Sequence, residues 1–332
     1  MHPFTLERPR NLNAALALRA QAGVNDAPVE YIAGGTDMVQ LLQEHVRRPE
    51  RLVSLAGLLD NSIEARSQGL RFGAAATMAE AAAHPAVVEL FPVIVEALLN
   101  SASPQVRNQA TMGGNLLQRP RCPYFRDVGY SACNRRAPGS GCSAMRGENR
   151  RHAVLGTSDH CIATHASDLA VALVALDAAV EVLGPGGQRT VLLDEFYRLP
   201  GDTPHIATVL EPGELVTAIT VPASAAAQRS HYLKVRDRGS FDFALVSAAV
   251  ALDMEGARIR QARVALGGVG TKPWRVPRVE EALVGASLDP AVLRRAAALA
   301  AEGAQGHGHN DFKIELMQRA IVRAVETAGA RA

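Results

Sequence analysis

Tyr31-Ile32-Ala33-Gly34-Gly35-Thr36-Asp37 runs from a short apolar strand straight into two glycines, a hydroxyl and a carboxylate. Adjacent glycines free the backbone to turn several N–H groups into one concavity, and Thr36 or Asp37 can cap a helix reaching about residue 46. Such a nest beside a helix start binds phosphate oxygens. The G-x-G-x-x-G of a dinucleotide fold is missing, and an ordinary strand-to-helix turn would have the same composition. Thr111-Met112-Gly113-Gly114-Asn115 repeats the feature in a stretch, Ser101 to Asn115, that reads as loop. Two Gly-Gly loops with flanking polar residues suggest one extended diphosphate ligand gripped from two sides. A third element, Lys234-Val235-Arg236-Asp237-Arg238-Gly239-Ser240-Phe241-Asp242, packs charge between apolar runs. Lys234 could meet an electron-rich ring or a phosphate there, or the segment could be a solvated hairpin.

Outward from these loops, apolar spacing predicts helices over 11–22, 92–100, 168–176, 276–284, 290–303 and 311–328. Thr77-Met78-Ala79-Glu80 has the spacing of a capping box. Asp168, at a helix start, reads as an N-cap. Strands are expected at 51–55, 70–73, 180–183, 190–193, 231–235, 245–252 and 259–266, with a turn at Gly184-Pro185-Gly186-Gly187 and a linker at Ala223–Arg229. Mixed elements followed by late helices indicate an α+β chain, and 332 residues suffice for about two domains.

Cysteine is confined to one stretch. Cys122, Cys133, Cys142 and Cys161 follow the spacing C-x10-C-x8-C-x18-C within residues 119–161, among Arg, Gly and Pro. A loop that long inside a compact domain is normally functional. Concentrated thiolates point to a metal or an iron–sulfur cluster. The close pairs of structural zinc sites and the tight run of bacterial ferredoxins are both missing. Two disulfides or four inert thiols remain open on spacing alone.

Composition narrows the partners. A net charge of +2 gives no electrostatic case for nucleic acid or an anionic membrane, and 4% aromatics gives no base-stacking surface. No apolar stretch is long enough to span a bilayer. The N-terminal MHPFTLERPRNLNAALALRAQAG has no uninterrupted apolar core, so no signal peptide is expected.

Taken in order, these elements resemble the flavin-binding medium subunit of the xanthine oxidase and molybdenum hydroxylase family. The matching stretches are Ile32–Asp37, Val106–Asn115, Ser167-Asp168-Leu169, Tyr232-Leu233-Lys234 with Arg236, Phe241, Asp242 and Val246-Ser247, and Gly267-Gly268-Val269. Together they cover nearly the whole chain. The cysteine segment, with Pro138–Cys142, His152–Gly156 and Cys161–His165, is similar to that of medium subunits of bacterial periplasmic aldehyde oxidoreductases. The related 4-hydroxybenzoyl-CoA reductase carries an analogous loop, spaced differently.

The resemblance implies an α+β FAD-binding domain over 1–225, in two subdomains of about 1–58 and 59–225, and a smaller α+β domain of the CO-dehydrogenase flavoprotein type over 226–332. It implies that the loop from Ile32 through Ala33, Gly34, Gly35, Thr36 and Asp37 to Met38 holds the FAD diphosphate, with Thr111, Gly114 and Asn115 completing the grip. Asp168, Val216 and Lys234 fall where relatives touch the flavin. Ser101 falls where some relatives stack an aromatic ring on it, so stacking must differ here. Cys122, Cys133, Cys142 and Cys161 would hold a [4Fe–4S] cluster.

The implied partners are a large molybdopterin subunit, which oxidises the substrate, and a small subunit with two [2Fe–2S] clusters, in a heterotrimer. Electrons would pass through FAD on this chain to an external acceptor. The expected location is the periplasm if a partner's signal carries the complex out, and otherwise the cytoplasm. Arg121, Arg126, Arg135, Arg136, Arg146, Arg150 and Arg151 would raise the cluster potential or dock a partner.

Overall fold

A computed structural model describes residues 1–19 and 28–331. Among the described residues, three sheets occupy successive stretches of the chain. The first is parallel, with Arg51–Ser54 between Thr5–Glu7 and Val29–Ile32. The helix Leu12–Arg19 buries Ala15 and Leu16 against Val53, Leu55 and Leu215. Residues 20–22, the end of the helix expected from sequence, lie outside the described residues.

The second sheet is antiparallel, in the order Ile63–Arg66, Gly69–Gly73, Leu215–Pro222, Ala179–Gly184, Gly187–Leu192. Gly184 pairs with Gly187, so Pro185-Gly186 is a two-residue hairpin turn. Helices Met78–Ala83, Pro92–Leu99 and Asp168–Ala175 pack with it into one apolar core. The capping box at Thr77 is present, with Glu80 N donating to Thr77 Oγ1 at 3.1 Å and Thr77 N to Glu80 Oε2 at 2.8 Å. Every residue of Asp168–Ala175 is buried, and all but Asp168 are apolar, as a helix enclosed on every side requires.

The third sheet is antiparallel, in the order Trp274–Arg275, Arg258–Gly267, Val246–Glu255, Ser230–Val235. Helices Pro277–Leu283, Pro290–Ala298 and Phe312–Gly329 pack their apolar stripes with it in a second core. Val246 to Leu252 is buried without a break and is apolar except for Ser247, so this strand shows no alternation.

Several expectations are corrected. Residues 101–115 are not plain loop. Ser103 accepts from Val106 N and caps Pro104–Arg107, and Thr111 accepts from Gly114 N and caps Met112–Leu116. Proline at the first helical position and the hydroxyl caps outweigh the glycines. The strand at 190–193 begins earlier, at Gly187. The linker at 223–229 holds the four-residue helix Ala225–Gln228, capped by Ser224. Asp168 is not the N-cap: Ser167 accepts from Ala170 N, which frees the Asp168 carboxylate for other work.

Candidate functional site

The two Gly-Gly loops come together because a glycine lets them. A Cβ at Gly34 would sit 1.9 Å from the Gln109 carbonyl oxygen, so the first loop can lie against the second only without a side chain there. The loops differ in what they offer. Gly113 N donates to Ala74 O at 3.0 Å, Gly114 N to Thr111 Oγ1 at 3.1 Å and Asn115 N to Thr111 O at 2.8 Å, so the second loop spends its N–H groups within the fold. Among the described residues, the N–H groups of Gly34, Gly35, Thr36, Asp37 and Met38 donate no hydrogen bond. Consecutive free N–H groups are what an anionic ligand requires.

Asp37 stands at the N-cap position of Met38–Gln43 but makes no side-chain cap bond. Its carboxylate accepts from Arg119 N at 2.8 Å, from Arg126 Nη2 at 2.7 Å and from Arg121. Burial alone would raise its pKa. Arg121, Arg126 and the Arg119 N–H outweigh burial and hold it below the ordinary carboxylate value. Asp37 therefore ties the first loop to the start of the cysteine segment.

On the far side, Asp168 accepts from Tyr232 OH at 2.6 Å and from Lys234 Nζ at 2.8 Å, with Ser101 Oγ 2.9 Å away. Lys234 also donates to Asn100 O at 3.0 Å. The side chains of Lys234 and Asp168 are 2% and 7% exposed. The buried Tyr232 phenol is pushed well above its ordinary value, first by burial and then by Asp168. Ser167 Oγ lies 2.5 Å from Asn115 Oδ1, which joins this cluster to the second Gly-Gly loop.

Every residue expected to touch the cofactor lines one cavity of about 560 Å³, a volume suited to a small-molecule ligand. Phe241, which the resemblance includes without a cofactor role, and Phe243, which it leaves out, line the same cavity, 58% and 40% exposed, the first at φ +51°. Two phenylalanines flanking Asp242 in an otherwise charged segment were the available signal. Ser101 does not face an aromatic role: its hydroxyl supports Asp168.

The cysteine segment holds little regular structure, only Pro123–Arg126 and Ser143–Met145. All four cysteines are free thiols. Cys122 packs against a cluster that includes Phe125 and Cys133 and against a second that includes Tyr124, Ala144 and Ile162, which Cys142 also meets. Cys122 lies within electrostatic reach of Cys161 and Cys133, and Cys142 within reach of Cys161. Among the described residues no group of three His, Cys, Asp or Glu is drawn together tightly enough for one metal ion. A cubane spaces its thiolates more widely than a single ion does.

The surroundings are rich in donors to sulfur. Backbone N–H groups of Tyr124 and Phe125 face Cys122, and those of Ala144, Met145 and Ile162 face Cys142. Arg135 Nε donates to Cys161 Sγ at 3.3 Å, and His152 Nε2 lies 3.2 Å from Cys122 Sγ. Burial pushes the Cys122 thiol up to about 12, against the downward pull of the Phe125 and Tyr124 N–H groups. Four free thiols in one segment, with N–H groups beside two of them, are the donor chemistry that an iron–sulfur cluster takes.

Most arginines of this segment are engaged within the fold. Arg121 and Arg126 serve Asp37, and Arg136 donates to the carbonyls of Tyr124 and Phe125 at 2.8 and 2.9 Å. Arg150 meets Asp237 at 2.8 Å and Arg151 meets Asp242 at 2.8 Å, which braces the loop carrying Phe241.

Residues 2–224 match the family described as "FAD binding domain in molybdopterin dehydrogenase". The chain belongs to that family. Residues 231–328 match the "CO dehydrogenase flavoprotein C-terminal domain". The chain is thus an FAD-binding component of an oxidoreductase, with the α+β architecture expected from its sequence. It is 44% identical, over the full length of both chains, to the aldehyde oxidoreductase FAD-binding subunit PaoB of Escherichia coli K12. It is 28% identical to the carbon monoxide dehydrogenase medium chain of Afipia carboxidovorans, covering 99% of this chain and 98% of that one. Among solved structures, CO dehydrogenase from Oligotropha carboxidovorans superposes at a TM-score of 0.77 with 26% identity, covering 100% of both chains.

Proposed function

We propose that this chain is the FAD- and [4Fe–4S]-carrying subunit of a molybdenum-dependent aldehyde oxidoreductase that converts aldehydes to carboxylic acids. The reading rests on a cavity lined by backbone N–H groups that donate to nothing among the described residues, tied through Asp37 to the segment that carries four free cysteines. The 44% identity to an aldehyde oxidoreductase subunit supports the substrate class. FAD and the cluster supply electron carriage from partner [2Fe–2S] centres to an external acceptor, in a heterotrimer with a large molybdopterin subunit and a small iron–sulfur subunit. Export to the periplasm on a partner's signal belongs to the same reading.

The chain's own residues do the positioning. The N–H groups from Gly34 to Met38 take the diphosphate, with Ile32 and Ala33 leading into that loop. Thr111, Gly114 and Asn115 close the second side. Asp168, held by Ser101 and Tyr232, fixes Lys234 Nζ at the cavity wall, and Val216 lines the flavin region. Cys122, Cys133, Cys142 and Cys161 hold the cluster, and their N–H donors offset its negative charge.

One visible spectrum tests the reading. Flavin bands with broad absorption near 400 nm, the region of about this wavelength where [4Fe–4S] centres absorb, are expected, and a colourless protein releasing no flavin on unfolding sinks it. Cys142→Ser should lower iron content and perturb electron flow while FAD stays bound. Flavin without iron would instead favour a flavoprotein whose thiols hold no cluster.

A further inference from the structure

His152 stands beside Cys122 in a geometry that packing alone does not require. Its Nε2 is 3.2 Å from Cys122 Sγ, and the residue is 2% exposed. Among the described residues, its buried Nδ1 has no hydrogen-bond partner. An imidazole with a single polar neighbour places its proton toward that neighbour when the neighbour is an acceptor. Opposite a Cys122 thiolate, the proton resides on Nε2 and donates to sulfur, and Nδ1 is left as the idle lone pair. The unpartnered Nδ1 is the cost of that arrangement, since burying a nitrogen without a partner is unfavourable.

The backbone holds the ring in place. His152 N donates to Asn149 O at 2.8 Å, Asn149 Nδ2 donates to His307 O at 2.7 Å, and Asn310 Nδ2 donates to Ala153 O at 2.9 Å. The Tyr124 ring lies against the imidazole at 6.1 Å between centroids. These anchors come from the C-terminal stretch 307–310 as well as from the cysteine loop, so the donor is fixed from two sides. The four sulfurs are also treated unequally. Among the described residues, Cys122 and Cys161 receive side-chain donors, His152 and Arg135, whereas Cys133 and Cys142 receive none.

We propose that His152 is a positioning residue that sets the reduction potential of the cluster in this loop by donating Nε2–H to Cys122; the proposal rests on the four-cysteine cluster reading above. Uptake of one electron leaves the site one unit more negative, with no proton or bond change needed. A donor to sulfur stabilises that form more than the oxidised one, which raises the potential.

The test uses the full chain expressed by itself, so that only this cluster contributes, with dithionite as reductant in a mediated potentiometric titration followed by EPR. His152→Phe should keep the wild-type iron and sulfide content and shift the midpoint potential to more negative values. His152→Gln, which retains an amide N–H, should return most of that shift. Pulsed EPR on reduced wild-type protein labelled with [15N]histidine should show a weak nitrogen coupling that His152→Gln removes. An unchanged midpoint in His152→Phe with full iron overturns the proposal. If His152→Phe loses iron, the labelled wild type decides, and absence of a histidine coupling overturns it. A wild type without iron fails the cluster reading and this proposal together, whereas full iron with an unmoved potential fails this one alone.

Discussion

The Lys234–Asp168 pair should be the costliest ion pair to break in the fold. The charges lie 2.8 Å apart with both side chains under a tenth exposed. At an effective dielectric of about 20, their attraction is roughly 6 kcal/mol before desolvation is counted. Desolvation offsets much of this, so the pair contributes little relative to a well-packed apolar pair. Removing one partner is different, because it strands the other charge and costs about 3–5 kcal/mol. After Lys234→Met, the Asp168 carboxylate keeps Tyr232 OH at 2.6 Å and the nearby Ser101 hydroxyl, which places the loss at the lower end, about 3 kcal/mol. Asp168→Asn leaves Lys234, among the described residues, with the Asn100 carbonyl alone and should cost about as much. The double variant should cost at least about 2 kcal/mol less than the sum of the singles. The assay is equilibrium urea unfolding of FAD-free protein, followed by the fluorescence of Trp274, the one tryptophan of the chain. Trp274 sits in the same sheet as Lys234, so the signal reports the affected element. A Lys234→Met loss below about 0.5 kcal/mol, the size of an ordinary surface substitution, or strict additivity in the double variant, refutes the reasoning.

Gly34→Ala should drive the two cavity loops apart, because the new Cβ would meet the Gln109 carbonyl oxygen at 1.9 Å and neither side can rotate away. Overpacking of this kind costs about 1–3 kcal/mol, and acid-released FAD per chain should fall well below the wild-type ratio; full FAD content would count against it. Asp37 predicts acid sensitivity. Its folded pKa is depressed, so its stabilisation is present above the unfolded value of about 3.9 and is lost as pH falls through the lower folded value. In Asp37→Asn, the urea midpoint should be lower at neutral pH and should change less with pH below about 4 than in wild type; an identical acid profile in the two proteins would refute the assignment.

The elements legible in the sequence are those set by local chemistry. The capping box at Thr77 and the Pro185-Gly186 turn form where their residue types require them. The cavity residues were also legible, since the two Gly-Gly loops carry backbone geometry that few residues allow. What escaped was decided by partners distant in sequence. Asp37 looks like a cap until Arg119, Arg121 and Arg126 arrive from some eighty positions away. Asp168 likewise resembles a cap until Tyr232 and Lys234 approach from the third sheet. Phe241 was visible as a letter, but its place at the cavity depends on Arg151 bracing Asp242 across 91 positions.

The long cysteine segment could be expected to burden the fold, because ordering each residue costs about 1–2 kcal/mol of backbone entropy. Its anchors show how the cost is met. At its start, Arg119 N, Arg121 and Arg126 converge on Asp37. Near its end, Ala153 N bonds Ile162 O at 2.9 Å, and Val154 N and Leu155 N both bond Val269 O, at 2.8 and 3.0 Å, which stitches the segment to the third sheet. Between them, Arg150 and Arg151 fix the loop that carries Phe241. The segment is thus a strut spanning the first Gly-Gly loop, the third sheet and the mouth of the cavity. A change in its internal packing is transmitted to the diphosphate loop through Asp37 and to Phe241 through Asp242.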